Sequence, residues 1–273
     1  MLYNMRSVNS KEKQAELYTH LNNFVPDVLA MTETWLDEST SKLSIPNYDL
    51  VSRRDRPGCV AGELNHSDIA VYRHRGGISL THLEDSELAE RSWQSIHTNV
   101  GPLLLGLWYR PPGSPRSHIE TLNYELNRLT PEAIGTIVIG DMNIWHKRWL
   151  NHSPANSPEG DLLYEICQKH GLRQMVRHPT RGSNLLDLVL ANAPGEVTTK
   201  LLPAISDHAG VLTRVHLNVP SEIVVPGIVW QYQKADWAGL EKALSDTDWS
   251  SPLAGSADLV AERFTGHLLQ TMR

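Results

Sequence analysis

The chain has 273 residues, of which 40% are hydrophobic and 21% charged, and it carries two cysteines. That balance describes a soluble globular protein with a large core and excludes a disordered tail, a collagen-like repeat or a small disulfide scaffold. The net charge of −6 argues against holding nucleic acid by a global positive field, and half of it lies beyond Pro220, where seven acidic residues meet four basic ones.

Cys59 and Cys167 are too few for a four-cysteine zinc site and fit a reducing compartment. No charged and then apolar leader opens the chain, and its longest apolar runs, at 136–140 and 185–191, are far shorter than a bilayer span. Neither secretion nor a membrane partner is expected.

Leu17, Tyr18, Leu21 and Phe24 recur at helical spacing behind Ser10, an N-cap residue type, and Pro26 ends the run. DVLAMTE (27–33) reads as a buried strand. After a turn-rich stretch with Pro46, Asn47, Pro57 and Gly58, the runs DIAVYRH and ISLTHL read as a hairpin joined by Arg75, Gly76 and Gly77. PLLLGLWY (102–109) is an apolar strand closed by Pro111, Pro112, Gly113 and Pro115. Ser117 and Glu120 have capping-box spacing, and Ile119, Leu122, Leu126 and Leu129 form one stripe behind them. AIGTIVIG (133–140) is a further strand. Ser157, Pro158 and Gly171 bound another helix, and NLLDLVLAN and AGVLTRVHL supply two more strands. Strands alternating with helices, but interrupted by hairpins, predict α/β or α+β layers with mixed sheets. Beyond Val219 two amphipathic helices are expected near 234–244 and 256–270, with apolar faces buried elsewhere.

The strand before IVIGDMNIW delivers Asp141 and Asn143 at its end, and extended backbone turns both to one side and Met142 to the other. A carboxylate and an amide can then converge on one reacting atom. Gly, Asp and Asn also dominate turns, so an Asx turn capping the strand is the competing reading. Ser206, Asp207 and His208 share one tight bend. Glu33 and Asp187 sit in apolar strands, where a carboxylate needs a cation, a metal or a hydrogen-bond donor; an arginine salt bridge is the simpler partner for each. Together these residues form an oxygen-rich group with one imidazole and no thiolate, which suits Mg²⁺, or Mn²⁺, and phosphodiester hydrolysis. The pairs His146/His152 and His170/His178 lack the spacing of a zinc site. Three basic clusters, Arg53/Arg54/Arg56, Lys147/Arg148 and Arg173/Arg177/Arg181, either line a phosphate-binding cleft or are ordinary surface. Trp145 and Trp149 either stack on a base or are buried.

In order along the chain, Asn4, Arg6 and Ser7, then DVLAMTETWL, IAVYRHRG, LLLGLWYRPPGS, IVIGDMNIWHKRW, RHPTRGSNLLDLVLAN and ISDHAGV carry a resemblance covering nearly all of residues 1–219. The chain resembles the endonuclease/exonuclease/phosphatase superfamily, particularly the endonuclease domain of jockey-type non-LTR retrotransposons. The resemblance implies a four-layer sandwich of two face-to-face mixed sheets flanked by helices, with a cleft at one edge. It implies that Asn4 and Glu33 hold the divalent metal, with Asp207 near the metal or the attacking water. Asp141 would orient or deprotonate that water, Asn143 would fix it and the phosphate, and Tyr109 would contact the scissile phosphate. His208, held by Asp187, would hydrogen-bond a phosphate oxygen, while Arg110, Ser183 and Ser206 would contact substrate.

The implied reaction is Mg²⁺-dependent nicking of one DNA strand, leaving a 3′-hydroxyl for target-primed reverse transcription in the nucleus. Residues 220–273 would be the helical connector before a fused reverse transcriptase, making the chain a fragment or truncated copy. The rivals are another phosphoesterase of the superfamily, acting on phosphoinositide or RNA, and an inactive retrotransposon relic. The chain departs from the family pattern at Met142, where Phe is usual, at Ile144 and Trp145, which replace Ala-His and displace His146, and in GCVAGELNHSD, which lacks a compact glycine run.

Overall fold

The computed structural model describes residues 1–36, 43–54, 68–217, 236–250 and 253–271. Arg56, Pro57, Gly58, Cys59, most of GCVAGELNHSD and the first part of the expected connector lie outside the described residues. The chain divides into two compact units, Met1–Ile223 and Val224–Arg273.

In the first unit, β1 (Leu2–Asn4), α1 (Lys11–Phe24), β2 (Val28–Thr32), β3 (Tyr48–Arg54) and β4 (Ile69–His74) come first. They are followed by β5 (Leu80–Asp85), β6 (Glu90–Thr98), β7 (Gly101–Tyr109), α2 (Ser117–Leu129) and β8 (Gly135–Asp141). Next come α3 (Pro158–Lys169), β9 (Arg173–Gln174), β10 (Asp187–Ala191), β11 (Val197–Ala204) and β12 (Ala209–Val215). The strands form two six-stranded sheets, in the orders β11-β12-β1-β2-β4-β3 and β5-β6-β7-β8-β10-β9. Both are mixed, since β1 runs parallel to β2 and β7 parallel to β8 while the other neighbours are antiparallel.

Period-two alternation sorts the layers. Leu2 and Ala30, paired across β1 and β2, face the second sheet and join the core that contains Trp93, Leu105 and Ile139. Their neighbours Tyr3 and Met31 face outward, where Leu17 and Leu21 of α1 cover them. On the other side, α2 and α3 bury Ile119, Leu122, Leu126, Leu163 and Ile166 against the second sheet. Glu125 of α2 reaches Arg91 at 2.6 Å and the Trp93 indole N–H at 2.6 Å, so a buried ion pair locks helix to sheet. Between the sheets, Ser92 and Gln94 of β6 bond the Ser52 hydroxyl at 3.1 and 3.0 Å. The result is the expected four-layer sandwich.

Three local expectations need correction. The runs around β4 and β5 do not pair as a hairpin: β4 lies between β2 and β3, whereas β5 is the edge of the other sheet beside β6. Both edges of β4 are filled, so Gly76 and Gly77 turn a corner between the sheets instead of closing a hairpin. The tight hairpin is β6–β7, pairing Thr98 with Gly101. Ser117 does not cap α2; the cap is Arg116, already in helical conformation and without a side-chain cap bond. Glu120 pairs with Arg116 one turn earlier, at 3.2 Å. Finally, β3, β6 and β11 are strands with no counterpart in the periodicity reading.

The Ser10 and Ser157 caps form as expected, accepting from Lys13 N and Gly160 N. In the second unit, α4 (Trp237–Ser245) and α5 (Ala257–Thr271) bury no residue; Trp249 packs on Phe264 and His267 with ring centroids 5.6 and 5.4 Å apart. No helix among the described residues is long and apolar enough to cross a membrane.

Gly140 sets up the site described next. Its φ is +148°, and a Cβ there would collide with the Trp108 carbonyl on β7. Gly140→Ala is expected to cost roughly 3 kcal/mol or more, read as a lower urea midpoint, because neither the dihedral nor the neighbouring backbone can yield.

Candidate active site

Four strand ends from the two sheets meet at one edge of the sandwich. β8 ends at Asp141 and β10 begins at Asp187, its register partner. β12 begins just after His208 and pairs antiparallel with β1, which ends at Asn4. Among the described residues, five of the nine non-glycine residues with positive φ lie here: Arg6, Ser7, Glu33, Trp35 and Asn143. Backbone strain of this kind persists where the surroundings over-determine it, and it commonly marks functional sites.

Asp141, Asp187 and His208 are each buried, and their potential ligand atoms lie within 4.8 Å of one another. His208 Nδ1 donates to Asp187 Oδ2 at 2.7 Å, leaving Nε2 directed at Asp141 Oδ2, 3.9 Å away. Asn4 Nδ2 bridges two acids, donating to Asp141 Oδ2 at 2.9 Å and Glu33 Oε1 at 2.7 Å.

The electrostatics follow from crowding acids in a dry pocket. Burial first, then the Asp187 and Glu33 charges, push the Asp141 carboxyl up to about 7, against the opposing effects of His208 and Asn4. Burial works against a charged His208, but the Asp187 hydrogen bond and the Asp187, Asp141 and Asp207 charges outweigh it and raise the imidazole above its ordinary range. Burial, with Glu33 and Asp141 nearby, raises the Tyr109 phenol well above its ordinary value and keeps it a neutral donor.

These side chains fit a hard divalent ion. Asp187 Oδ1 and His208 Nε2 are buried with no hydrogen-bond partner, and the three carboxylates of Glu33, Asp141 and Asp187 are tied together through the Asn4 amide and His208. An unneutralised group of this kind is costly, and a small cation offsets it.

Other expected residues are placed differently. Asn143 does not follow strand alternation: its φ is +46°, its N–H donates to Asp141 Oδ1 at 3.3 Å, and its amide donates to the Arg110 carbonyl at 3.0 Å. The Asx turn therefore exists, and it is also what stations Asn143 beside Asp141. Asp207 lies outside the buried group; its Oδ2 accepts from Arg6 at 2.8 Å and Arg181 at 2.7 Å. Arg110 is buried and donates to the Ser114 and Asn143 carbonyls, at 2.7 and 3.4 Å, while its Nε has no hydrogen-bond partner among the described residues. Ser206 donates to the Asn4 carbonyl at 2.6 Å and accepts from His208 N at 3.2 Å, bracing two site strands. Ser183 is exposed on the loop before β10. Of the basic clusters, Arg53 and Arg54 hold the Leu36 and Ser86 carbonyls.

Comparison with known proteins bears on the fold that carries this arrangement. Residues 103–212 match the family model described as endonuclease-reverse transcriptase. The endonuclease domain of TRAS1, a telomere-specific non-LTR retrotransposon, superposes with a TM-score of 0.63 at 16% identity, covering 79% of this chain and 96% of that one. The fold is that of the endonuclease/exonuclease/phosphatase superfamily. The AP endonuclease LMAP from Leishmania major shares it (TM-score 0.61, 15% identity, 79% of this chain and 86% of that one). So does the mannosyl-6-phosphatase Bt3783 from Bacteroides thetaiotaomicron VPI-5482 (0.54, 12%, 79% and 98%). No curated protein matches the sequence significantly. The resemblance read from the sequence therefore holds at the level of fold and family model.

Two hollows lie beside the acidic centre of this chain. One, of about 560 Å³, is lined by Arg110, Asn143, Trp145, Glu159, Arg181 and Asn184 among others. The other, of about 380 Å³, is lined by Arg6, Lys13, Trp35, Ser206 and Asp207. Two supporting residues escape sequence reasoning. Thr180 accepts from Asp187 N at 3.0 Å and, through its carbonyl, from Ala209 N at 2.7 Å, tying the starts of β10 and β12 together. His146 is buried between Trp149 and Tyr164, with Nε2 3.2 Å from Asp161, and anchors the loop that carries Trp145. Their supporting roles have no signal in the sequence, because the contacts that define them, Thr180 with Ala209 and His146 with Asp161 and Tyr164, cross between elements.

Proposed function

We propose that the chain is a divalent-metal-dependent phosphodiester hydrolase that nicks one strand of DNA and leaves a 3′-hydroxyl, as an endonuclease joined to a reverse transcriptase would require. The observation that carries this reading is the convergence of Asp141, Asp187 and His208, with Asn4 and Glu33 bonded to the group, at one sheet edge.

Asn4, Glu33 and Asp141 would hold the Mg²⁺ or Mn²⁺ ion. That ion supplies positive charge to the phosphate being attacked and favours the ionised form of a nearby water. Asp141, buried at the centre of the group, would accept the proton of the attacking water. As water oxygen bonds to phosphorus, the bond from phosphorus to the 3′ oxygen breaks and the departing oxygen takes a proton from solvent water, giving a 5′-phosphate and a 3′-hydroxyl. His208, charged through Asp187, donates from Nε2 to a non-bridging oxygen as negative charge builds there. Tyr109 donates its phenol proton to the same phosphate, and Asn143 orients it.

Nicking of supercoiled plasmid in Mg²⁺ is the test. Turnover of phosphoinositide without plasmid nicking would transfer the site to the first rival, and turnover of neither substrate would favour a relic. Metal binding has its own readout: with metal at a hundredfold over its dissociation constant, folding is favoured by about 2.7 kcal/mol, so the melting temperature should rise by roughly 5 °C or more and keep rising with the logarithm of metal concentration. A flat titration with both Mg²⁺ and Mn²⁺ would count against the metal site.

A further inference from the structure

At the mouth of the cleft the sign of the charge reverses. The floor is acidic, with Glu33, Asp141 and Asp187, whereas the rim carries Arg6 on one wall and Arg181 on the other, both bonded to a single oxygen of Asp207. One carboxylate faces two guanidiniums, and Lys13 adds a third cation in the adjoining hollow. The arginines are 45% and 41% exposed and Asp207 is 35% exposed, so the bridge faces solvent.

Both arginines are held in place by backbone devices. Arg6 and Ser7 have φ of +41° and +79°, and the Lys13 ammonium gathers the Met5 and Arg6 carbonyls at 2.8 and 2.5 Å. Arg181 sits in a small bridge, exchanging backbone bonds with Asn184 at 3.0 and 2.8 Å. Two planar guanidiniums converging on one point from opposite walls suit a tetrahedral phosphate better than a flat carboxylate, because phosphate offers separate oxygens to each fork. Solvent-facing ion pairs are weak, so a phosphate can take the place of the Asp207 oxygen at little cost. The rim arginines each border one of the two hollows that flank the acidic centre, which places their shared point on the track of a strand entering it.

We propose that Arg6 and Arg181 form a clamp for a phosphate next to the scissile one, with Asp207 as its built-in stand-in when substrate is absent. The proposal rests on the hydrolase reading above and extends it: a substrate must carry a second phosphate to use the clamp. Internal diesters of a polynucleotide qualify, whereas an isolated phosphoester does not. Trp35, on the wall of the Arg6 hollow, is placed to meet the base attached to that phosphate.

The test is fluorescence-anisotropy binding of a DNA duplex to the full chain in EDTA, at a series of salt concentrations. Each phosphate contact contributes about 0.9 to the slope of log K against log salt. Arg6→Gln and Arg181→Gln should each weaken binding about tenfold and reduce the slope by about one contact. The double variant should lose little more slope than either single one, because they share one phosphate. Asp207→Asn should bind several-fold tighter, since it frees the arginines. Unchanged slopes in both arginine variants, or weaker binding by Asp207→Asn, overturn the clamp. In Mg²⁺, the arginine variants should lose DNA turnover but keep hydrolysis of bis(p-nitrophenyl) phosphate, which has no second phosphate; a parallel loss on both substrates also overturns it. Binding in EDTA does not depend on cleavage, so a wild-type protein that shows the clamp without turnover refutes the hydrolase reading alone.

Discussion

Asp141→Asn is expected to lower Mg²⁺-supported plasmid nicking by roughly 10³- to 10⁴-fold and, at the same time, to stabilise the metal-free protein at pH 8. The first effect follows from removing the proton acceptor beside the reacting water. Asparagine keeps the shape and can still accept from Asn4 Nδ2, so the fold is preserved. The second effect follows from linkage. The carboxyl is raised from 3.8 to about 7 in the fold, so the folded state favours its protonated form. Below about pH 4 the group is protonated in both states and imposes no penalty; as pH rises through 7 the buried charge develops fully and stability is lost. Asparagine does not titrate, so the variant should exceed wild type at pH 8 by about 2 kcal/mol and match it near pH 4, in urea melts with EDTA. Adding Mn²⁺ should close the gap by stabilising wild type alone. A variant less stable than wild type at pH 8 would contradict the crowding of acids, and undiminished nicking would contradict the role of Asp141.

That trade of stability for chemistry bears on what could be read from the sequence. Caps were legible because their chemistry is local: Ser10 before α1, and Ser157 with Pro158 before α3, act within one turn. Strand β6 was not legible because polar side chains are buried among the apolar ones on both its faces. Arg91 is satisfied by Glu125 from α2 and Ser92 by Ser52 from the other sheet, so no hydrophobic alternation marks the segment. The corner at Gly76 and Gly77 mimics a hairpin turn, and only occupation of both edges of β4 shows that it is not one. Strand β3 was hidden in part by the irregularity between Leu50 and Ser52, which breaks its alternation.

The acidic centre was legible because a carboxylate in an apolar strand is costly wherever it lies, so Glu33, Asp141 and Asp187 stood out before their partners were known. Their convergence was not, since Asp141 and Asp187 pair across strands and Asn4 reaches Asp141 across 137 positions of chain. Asp207 shows the limit most clearly. Its position beside His208 pointed toward the acidic centre, but nothing in the sequence pointed to the two arginines that bond its oxygen.

Asp187→Asn carries the other large expected effect, a loss of about 10²- to 10³-fold in nicking. Asp187 touches no substrate in the proposed reaction; it acts through His208, accepting from Nδ1 at 2.7 Å. Burial alone would discharge the imidazole, and the Asp187 hydrogen bond and charge are the foremost opposing causes. Without them burial weighs more heavily against the charged imidazole, so His208 offers the transition state a weaker donor. A merely structural Asp187 would lower activity evenly across pH. A positioning Asp187 predicts instead that the alkaline limb of kcat/KM, where His208 loses its proton, moves to lower pH in the variant. Stability has the matching sign. A raised imidazole contributes stability that is present below about pH 6.5 and lost as pH rises through its folded value, so the variant should be weakest relative to wild type in mildly acidic buffer. His208→Ala should show no such limb and lose nothing further when combined with Asp187→Asn, because the two residues act as one donor. Additive losses in the double variant, or an unmoved alkaline limb in Asp187→Asn, would separate the two residues and remove the charged donor from the mechanism.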